Sequence, residues 1–118
     1  KIRSAQEFLK EFKREKKYKV DITATAEADI AELWDYIAQD NPDAATSFIL
    51  QLEEQIASLE QYPERCPLIP ENEFLDRSYR HLLFGNYRTI FKMIDTQVII
   101  LRVIHGARLL ALQTATAP

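Results

Sequence analysis

The sequence predicts an α+β domain of order β-α-α-β-β-β, with a mostly antiparallel sheet packed on a helical hairpin and an extra helix at the N-terminus. Three observations carry that reading. Apolar residues recur at helical spacing through much of the first half of the chain, interrupted by an alternating stretch from Tyr18 to Ile22 and by Asp40-Asn41. Beyond residue 77 the pattern changes to short apolar runs broken at Gly85-Asn86 and Asp95-Thr96, as in a strand meander. The 118 residues are 47% hydrophobic, enough for one core.

Taken in order, residues 1–17 form an amphipathic extension. Ile2, Ala5, Phe8, Leu9 and Phe12 repeat at helical spacing, and Lys10, Lys13, Arg14, Lys16 and Lys17 occupy the other side. The domain proper spans 18–112. Tyr18 to Ile22 alternates as a short strand, and Thr23 or Thr25 can cap a helix whose first turn carries Glu27 and Asp29. That helix buries Ile30, Leu33, Trp34 and Ile37. Asn41-Pro42 then supplies a cap and a first-turn proline for a second helix with the stripe Ala45, Phe48, Ile49, Leu52, Ile56 and Leu59, stopped at Tyr62-Pro63. The short connection makes the two helices antiparallel. Residues 63–77 contain Pro63, Pro67 and Pro70 and read as irregular. Strands follow at about 78–84, 87–94 and 97–105, and residues 113–118 read as a frayed tail.

Composition excludes several functions. No apolar run reaches the roughly 20 residues that span a bilayer, and there is no signal-peptide pattern, so a cytoplasmic chain without membrane contact is expected. The lone Cys66 cannot form an internal disulfide, and His81 and His105 make no metal-ligand cluster; neither metal nor cofactor is expected. The chain starts at Lys1 rather than Met, so its natural start is expected to have been trimmed, processed or left out. The net charge of −3 hides a segregation. Residues 1–19 hold eight Lys and Arg against three Glu, and residues 20–64 hold eleven acids and no Lys or Arg. Residues 65–118 hold seven cations and four acids. Such segregation either makes an oriented field or pairs internally.

The candidate contact residues are cations and rings in apolar strands: Arg80, Tyr87, Arg88, Lys92, Arg102, His105 and Arg108. Burying an unpartnered guanidinium is costly, so these side chains face a groove, a partner or carboxylates. Loop length decides the faces. A two-residue loop at Gly85-Asn86 pairs Phe84 with Tyr87 and separates Arg80 from Arg88. A three-residue loop pairs Leu83 with Tyr87 and gathers Arg80, Arg88 and Lys92 on a face the helices leave open; this is the expected arrangement. Plainer roles stand beside these. Arg102 reads as a partly buried residue paired to Asp or Glu, His105 as a backbone hydrogen-bonder at a strand end, Tyr87 as a structural aromatic and Trp34 as hairpin packing.

Six segments in order carry a family resemblance: Ala26-Glu-Ala-Asp-Ile30, Trp34-Asp-Tyr-Ile-Ala38, Asn41-Pro-Asp-Ala-Ala45, Tyr62-Pro-Glu64, Gly85-Asn-Tyr-Arg88 and Leu101-Arg-Val-Ile-His-Gly-Ala-Arg108. From Tyr18 to Arg108 the chain resembles the RelE/ParE superfamily of bacterial toxins, encoded in type II toxin–antitoxin (plasmid stabilisation) modules. The resemblance implies one of two activities. RelE-like members cleave mRNA in the ribosomal A site, using cations and tyrosine on the sheet. Arg88 and Arg108 match two functional arginines of that group, and Arg80 stands where one of its lysines does. A second lysine position is Leu82 here, and the tyrosine expected after Arg108 is missing. A ribonuclease reading would therefore rest on Arg80, Arg88, His105 and Arg108. ParE-like members share the long hairpin and the His-Gly-X-Arg ending and are associated with inhibition of DNA gyrase, without a catalytic site of their own. The balance favours a ParE-like toxin that acts by binding. A cognate antitoxin protein is the expected partner, the ribosome with its mRNA the alternative target, and a non-toxic adaptor the third reading. The N-terminal helix departs from the family pattern and is expected to dock on the acidic hairpin or to self-associate as a homodimer.

Overall fold

The computed structural model describes residues 2–9 and 17–110. Its elements are β1 (Lys19–Ile22), α1 (Ala24–Ala38), α2 (Pro42–Ala57), a one-turn α3 (Asn72–Leu75), β2 (Arg80–Phe84), β3 (Tyr87–Ile94) and β4 (Gln97–His105). The strands lie in the order β1-β4-β3-β2. β1 runs parallel to β4, and the other two pairs are antiparallel. The α+β architecture expected from the sequence is thus the observed one.

Local chemistry explains where the helices start. The Thr23 hydroxyl accepts from the Ala26 amide and donates to the Ile100 carbonyl at 2.8 Å, so one side chain caps α1 and ties it to β4. The Asn41 side chain accepts from the Ala44 amide, and Pro42 fills the first turn of α2, where its missing N–H costs nothing. Thr23→Ala should therefore destabilise the fold by about 1–2 kcal/mol, read as a lower urea midpoint with an unchanged slope.

The hairpin packs on one face of the sheet. Leu33 from α1 and Leu52 and Ile56 from α2 meet Phe91, Val98, Ile100 and Val103, each side chain contributing roughly 1.5–3 kcal/mol. Trp34 stays at the rim and donates to Thr46 Oγ1 across the hairpin at 3.3 Å.

Two expectations are corrected here. The hairpin loop has two residues, because Phe84 pairs with Tyr87 and Leu83 with Arg88. Gly85 takes φ +59, and a Cβ there would come within 3.2 Å of Phe48. Glycine is thus needed at the first loop position, which selects the two-residue turn. Arg80 consequently shares the face of Phe91, while Arg88 and Lys92 lie on the opposite face. That opposite face is not open either. Ile69, Leu75, Tyr79 and Leu110 cover it, packing on Ile90, Leu101 and Ile104. The proline-rich stretch read as irregular is the second layer, built from one short 3₁₀ turn, Pro63–Arg65, and α3.

β4 carries a bulge. Ile90 pairs with Arg102 and Phe91 with Ile100, which leaves Leu101 as the extra residue. Ile100 and Val103 therefore both reach the hairpin side, although they are three residues apart.

At the N-terminus, Ser4 Oγ accepts from the Glu7 amide and residues 5–9 are helical. Of the helix expected over 1–17, residues 1 and 10–16 lie outside the described residues, as does the tail expected at 113–118.

Candidate contact site at the end of the sheet

The seven candidate residues separate into three groups. The first is structural, with Arg88 and Arg102 buried and Arg80 half-buried. Arg88 is 3% exposed and forms a two-pronged ion pair with Glu71, Nη1 to Oε1 at 3.1 Å and Nη2 to Oε2. Its Nη2 also donates to the Arg108 carbonyl at 2.7 Å, and Glu71 Oε2 accepts the Leu110 amide at 2.9 Å. The Arg88 guanidinium and, secondarily, the Leu110 amide hold the Glu71 carboxyl down at about 2, against the opposing effect of burial. His81 Nδ1 lies 3.2 Å from Arg88 Nη1, and burial followed by the Arg88 charge pushes the imidazole below its ordinary value. It is therefore neutral and accepts from Arg88. Arg88 cannot serve as an exposed cation, because a buried guanidinium with a bound carboxylate is already neutralised.

Arg102 belongs to the same group. Its Nε donates to Asp29 Oδ2 at 2.7 Å and its Nη2 to Oδ1 at 3.0 Å, while the Val103 amide donates to Oδ2 at 2.9 Å. The Asp29 carboxylate raises the guanidinium above its ordinary value despite burial. The paired reading of Arg102 is the one its geometry matches. Arg80 donates to the Cys66 carbonyl at 2.6 Å and so fastens the loop to the edge strand.

Lys92 forms a second group by itself. It lines a cleft of about 440 Å³ with Asp76, Arg77 and Tyr79, on the sheet face opposite the hairpin.

The third group converges. Tyr87, His105 and Arg108 line a cleft of about 210 Å³ with Asp29, Glu32 and Tyr36 from α1. Those α1 positions are spaced three and four residues apart, which puts them on one helix face. Tyr87 is fixed edge-on between two rings, Phe48 at 5.8 Å and His105 at 5.6 Å. His105 Nδ1 accepts from the Ala107 amide at 3.2 Å, which assigns the proton of the neutral ring to Nε2. The backbone of Arg108 is held by its amide to the His105 carbonyl and by its carbonyl to Arg88. Its exposed side chain makes no hydrogen bond or ion pair to a described residue. The cleft therefore offers one unpaired guanidinium, one imidazole, two phenols and the Glu32 carboxylate. It can hydrogen-bond and ion-pair with a partner, but it sets no second cation beside Arg108 for a phosphate. Among the described residues no group of His, Cys, Asp and Glu could hold a metal ion. Cys66 is buried, and burial raises its thiol, so it is no nucleophile at neutral pH.

Residues 20–110 match the family described as ParE toxin of type II toxin–antitoxin system, parDE. The chain belongs to this ParE toxin family. The fold agrees with it. A chain of the chromosomal ParDE system from P. aeruginosa superposes with a TM-score of 0.60 at 20% identity, over 75% of this chain and 95% of that one. A chain of the RelBE2 toxin–antitoxin complex from Mycobacterium tuberculosis superposes at 0.52 with 28% identity, over 75% and 98%. No curated protein sequence matches. Among the described residues of this ParE-family toxin, no helix is long and apolar enough to cross a membrane.

The sequence reading missed Glu71, Glu32 and Tyr36, and gave Asp29 only a dipole role. Glu71 carries no local signal that sets it apart from the neighbouring Glu73.

Proposed function

We propose that this ParE-family toxin arrests growth by binding its target, DNA gyrase first, through the cleft of Tyr87, His105 and Arg108, and that a cognate antitoxin neutralises it. The carrying observation is the Arg88–Glu71 pair. Of the two arginines that the resemblance marks for RNA cleavage, Arg88 is buried against a carboxylate, and only Arg108 presents its charge. One cation beside one imidazole suits a contact surface better than phosphodiester cleavage, which needs acid, base and charge stabilisation together. Gyrase as the target comes from the family association.

The alternative, ribosome-dependent mRNA cleavage, would rest on His105 Nε2 beside Tyr87 and Arg108. Inducible expression in bacteria, with and without the neighbouring open reading frame, tests the whole reading. Growth arrest relieved by the neighbour is expected, together with altered plasmid supercoiling by purified gyrase. Codon-position cuts in primer extension, with supercoiling unchanged, would transfer the target to the ribosome. Unaffected growth would leave an adaptor domain. Arg108→Ala should keep the melting temperature and weaken target binding about tenfold or more. Full toxicity in that variant would remove the cleft from the reading.

A further inference from the structure

A larger cleft lies away from the candidate contact site, between β1 and α2. Its volume is about 480 Å³, and it is lined by Val20, Ile22, Ile30, Ile56 and Ala57 with the charged Lys19, Glu53 and Glu60. It borders an edge strand, since β1 pairs only on its β4 side. The chain enters the domain beside it. Lys17 bridges to Gln61, and the Tyr18 amide donates to the Glu60 carbonyl at 2.7 Å.

The N-terminal segment has the complementary chemistry. Ile2 is 97% exposed, Phe8 and Leu9 are 51% exposed, and every residue from 2 to 9 is exposed, so these side chains do not fill the groove of their own chain. Ser4 and Glu7 form the start of a capped helix. The sequence from there to Tyr18 contains no Pro or Gly and carries Lys10, Lys13, Arg14, Lys16 and Lys17.

We propose that the groove receives the N-terminal helix of a second copy of this chain, in a two-fold exchange where each copy fills the other's groove. Leu9, Phe8 and Ile2 cover the apolar lining. The basic side of the helix faces Glu53 and Glu60, on a segment, 20–64, that holds eleven acids and no Lys or Arg. Such an exchange is isologous and closes at two copies.

Sedimentation velocity on the full chain over a range of concentrations tests this. A dimer is expected, weakened by added salt because its charge pairing with Glu53 and Glu60 is screened. Leu9→Asp should weaken it at least about tenfold, with the melting behaviour of the monomer intact because Leu9 is exposed. Mixing Leu9→Cys chains with Glu53→Cys chains under mild oxidation should give a disulfide-linked pair, since Cys66 is buried and does not compete. A wild-type chain that stays monomeric overturns the proposal. So does a dimer indifferent to Leu9→Asp, or a link that forms only within single chains carrying both cysteines.

Discussion

Glu71→Ala is expected to cost about 3–5 kcal/mol of stability, a large share of what a domain of this size has. The reason is asymmetry. Removing the carboxylate leaves the Arg88 guanidinium charged in a pocket where it is 3% exposed, and it frees the Leu110 amide as well. The double variant Glu71→Leu with Arg88→Leu should recover much of the loss, because neither charge then has to be desolvated. Urea denaturation of the three proteins measures this. Equal losses in single and double variants would show that shape, rather than charge, governs the pocket.

The same pair sets an acid limit. Glu71 binds its proton less readily in the fold than in the open chain, so its contribution is complete above pH 4.5 and is lost as the pH falls toward about 2. At about 1.36 kcal/mol per pH unit that displacement is worth roughly 3 kcal/mol. His81, pushed down from its ordinary 6.5, acts in the same direction at higher pH, because the unfolded chain takes up its proton first. The stability of the wild type should therefore fall below pH 6.5 and more steeply below 4.5. Glu71→Gln should start lower at pH 7 and lose the steep acid phase. If its acid phase matched that of the wild type, the loss would belong to other carboxylates.

The second large effect is expected for Asp29→Ala, also about 3–5 kcal/mol. Asp29 takes both prongs of Arg102 and the Val103 amide, on side chains 11% and 9% exposed. Asp29→Asn keeps an acceptor for the amide but not the opposite charge, so its cost should fall between alanine and wild type. Because Asp29 and Val103 also line the cleft, toxicity should be measured under conditions where the variant remains folded. A folded Asp29→Ala that kept wild-type stability would show that Arg102 finds another partner.

These effects change how arginine variants of such a toxin are read. Loss of toxicity in Arg88→Ala would report a collapsed pocket and a loosened Arg108 backbone as readily as a lost contact. Arg108→Ala carries no such ambiguity, since the side chain touches no described polar partner.

The helices and strands were legible because their signals are local. Thr23, Asn41-Pro42 and the stripe from Ala45 to Leu59 announce the hairpin, and Gly85 and Asp95 mark the turns. The faces were not. Choosing between two loop residues and three depended on Phe48, which lies far away in sequence and packs on both Phe84 and Tyr87, the pair that closes the hairpin. The pairing of Arg88 with Glu71 spans 17 residues and that of Arg102 with Asp29 spans 73. No periodicity encodes such partners. The residues of 63–79 look like a loop because their apolar members are scattered, and only the sheet beneath them makes a layer of Ile69, Leu75 and Tyr79.

The extra residue in β4 has a consequence for how this toxin tolerates change in length. A strand is a two-stroke count, and Leu101 adds a half-cycle to it. Everything before it keeps one phase, and everything after it runs in the opposite one. Deleting Leu101 would restore a single phase and leave every β3–β4 pair in place, His105 opposite Tyr87 included. Deletions in this stretch are thus not equivalent. Loss of the unpaired Leu101 keeps the ladder, whereas loss of a paired residue between Arg102 and His105 breaks the pairing of what lies beyond it.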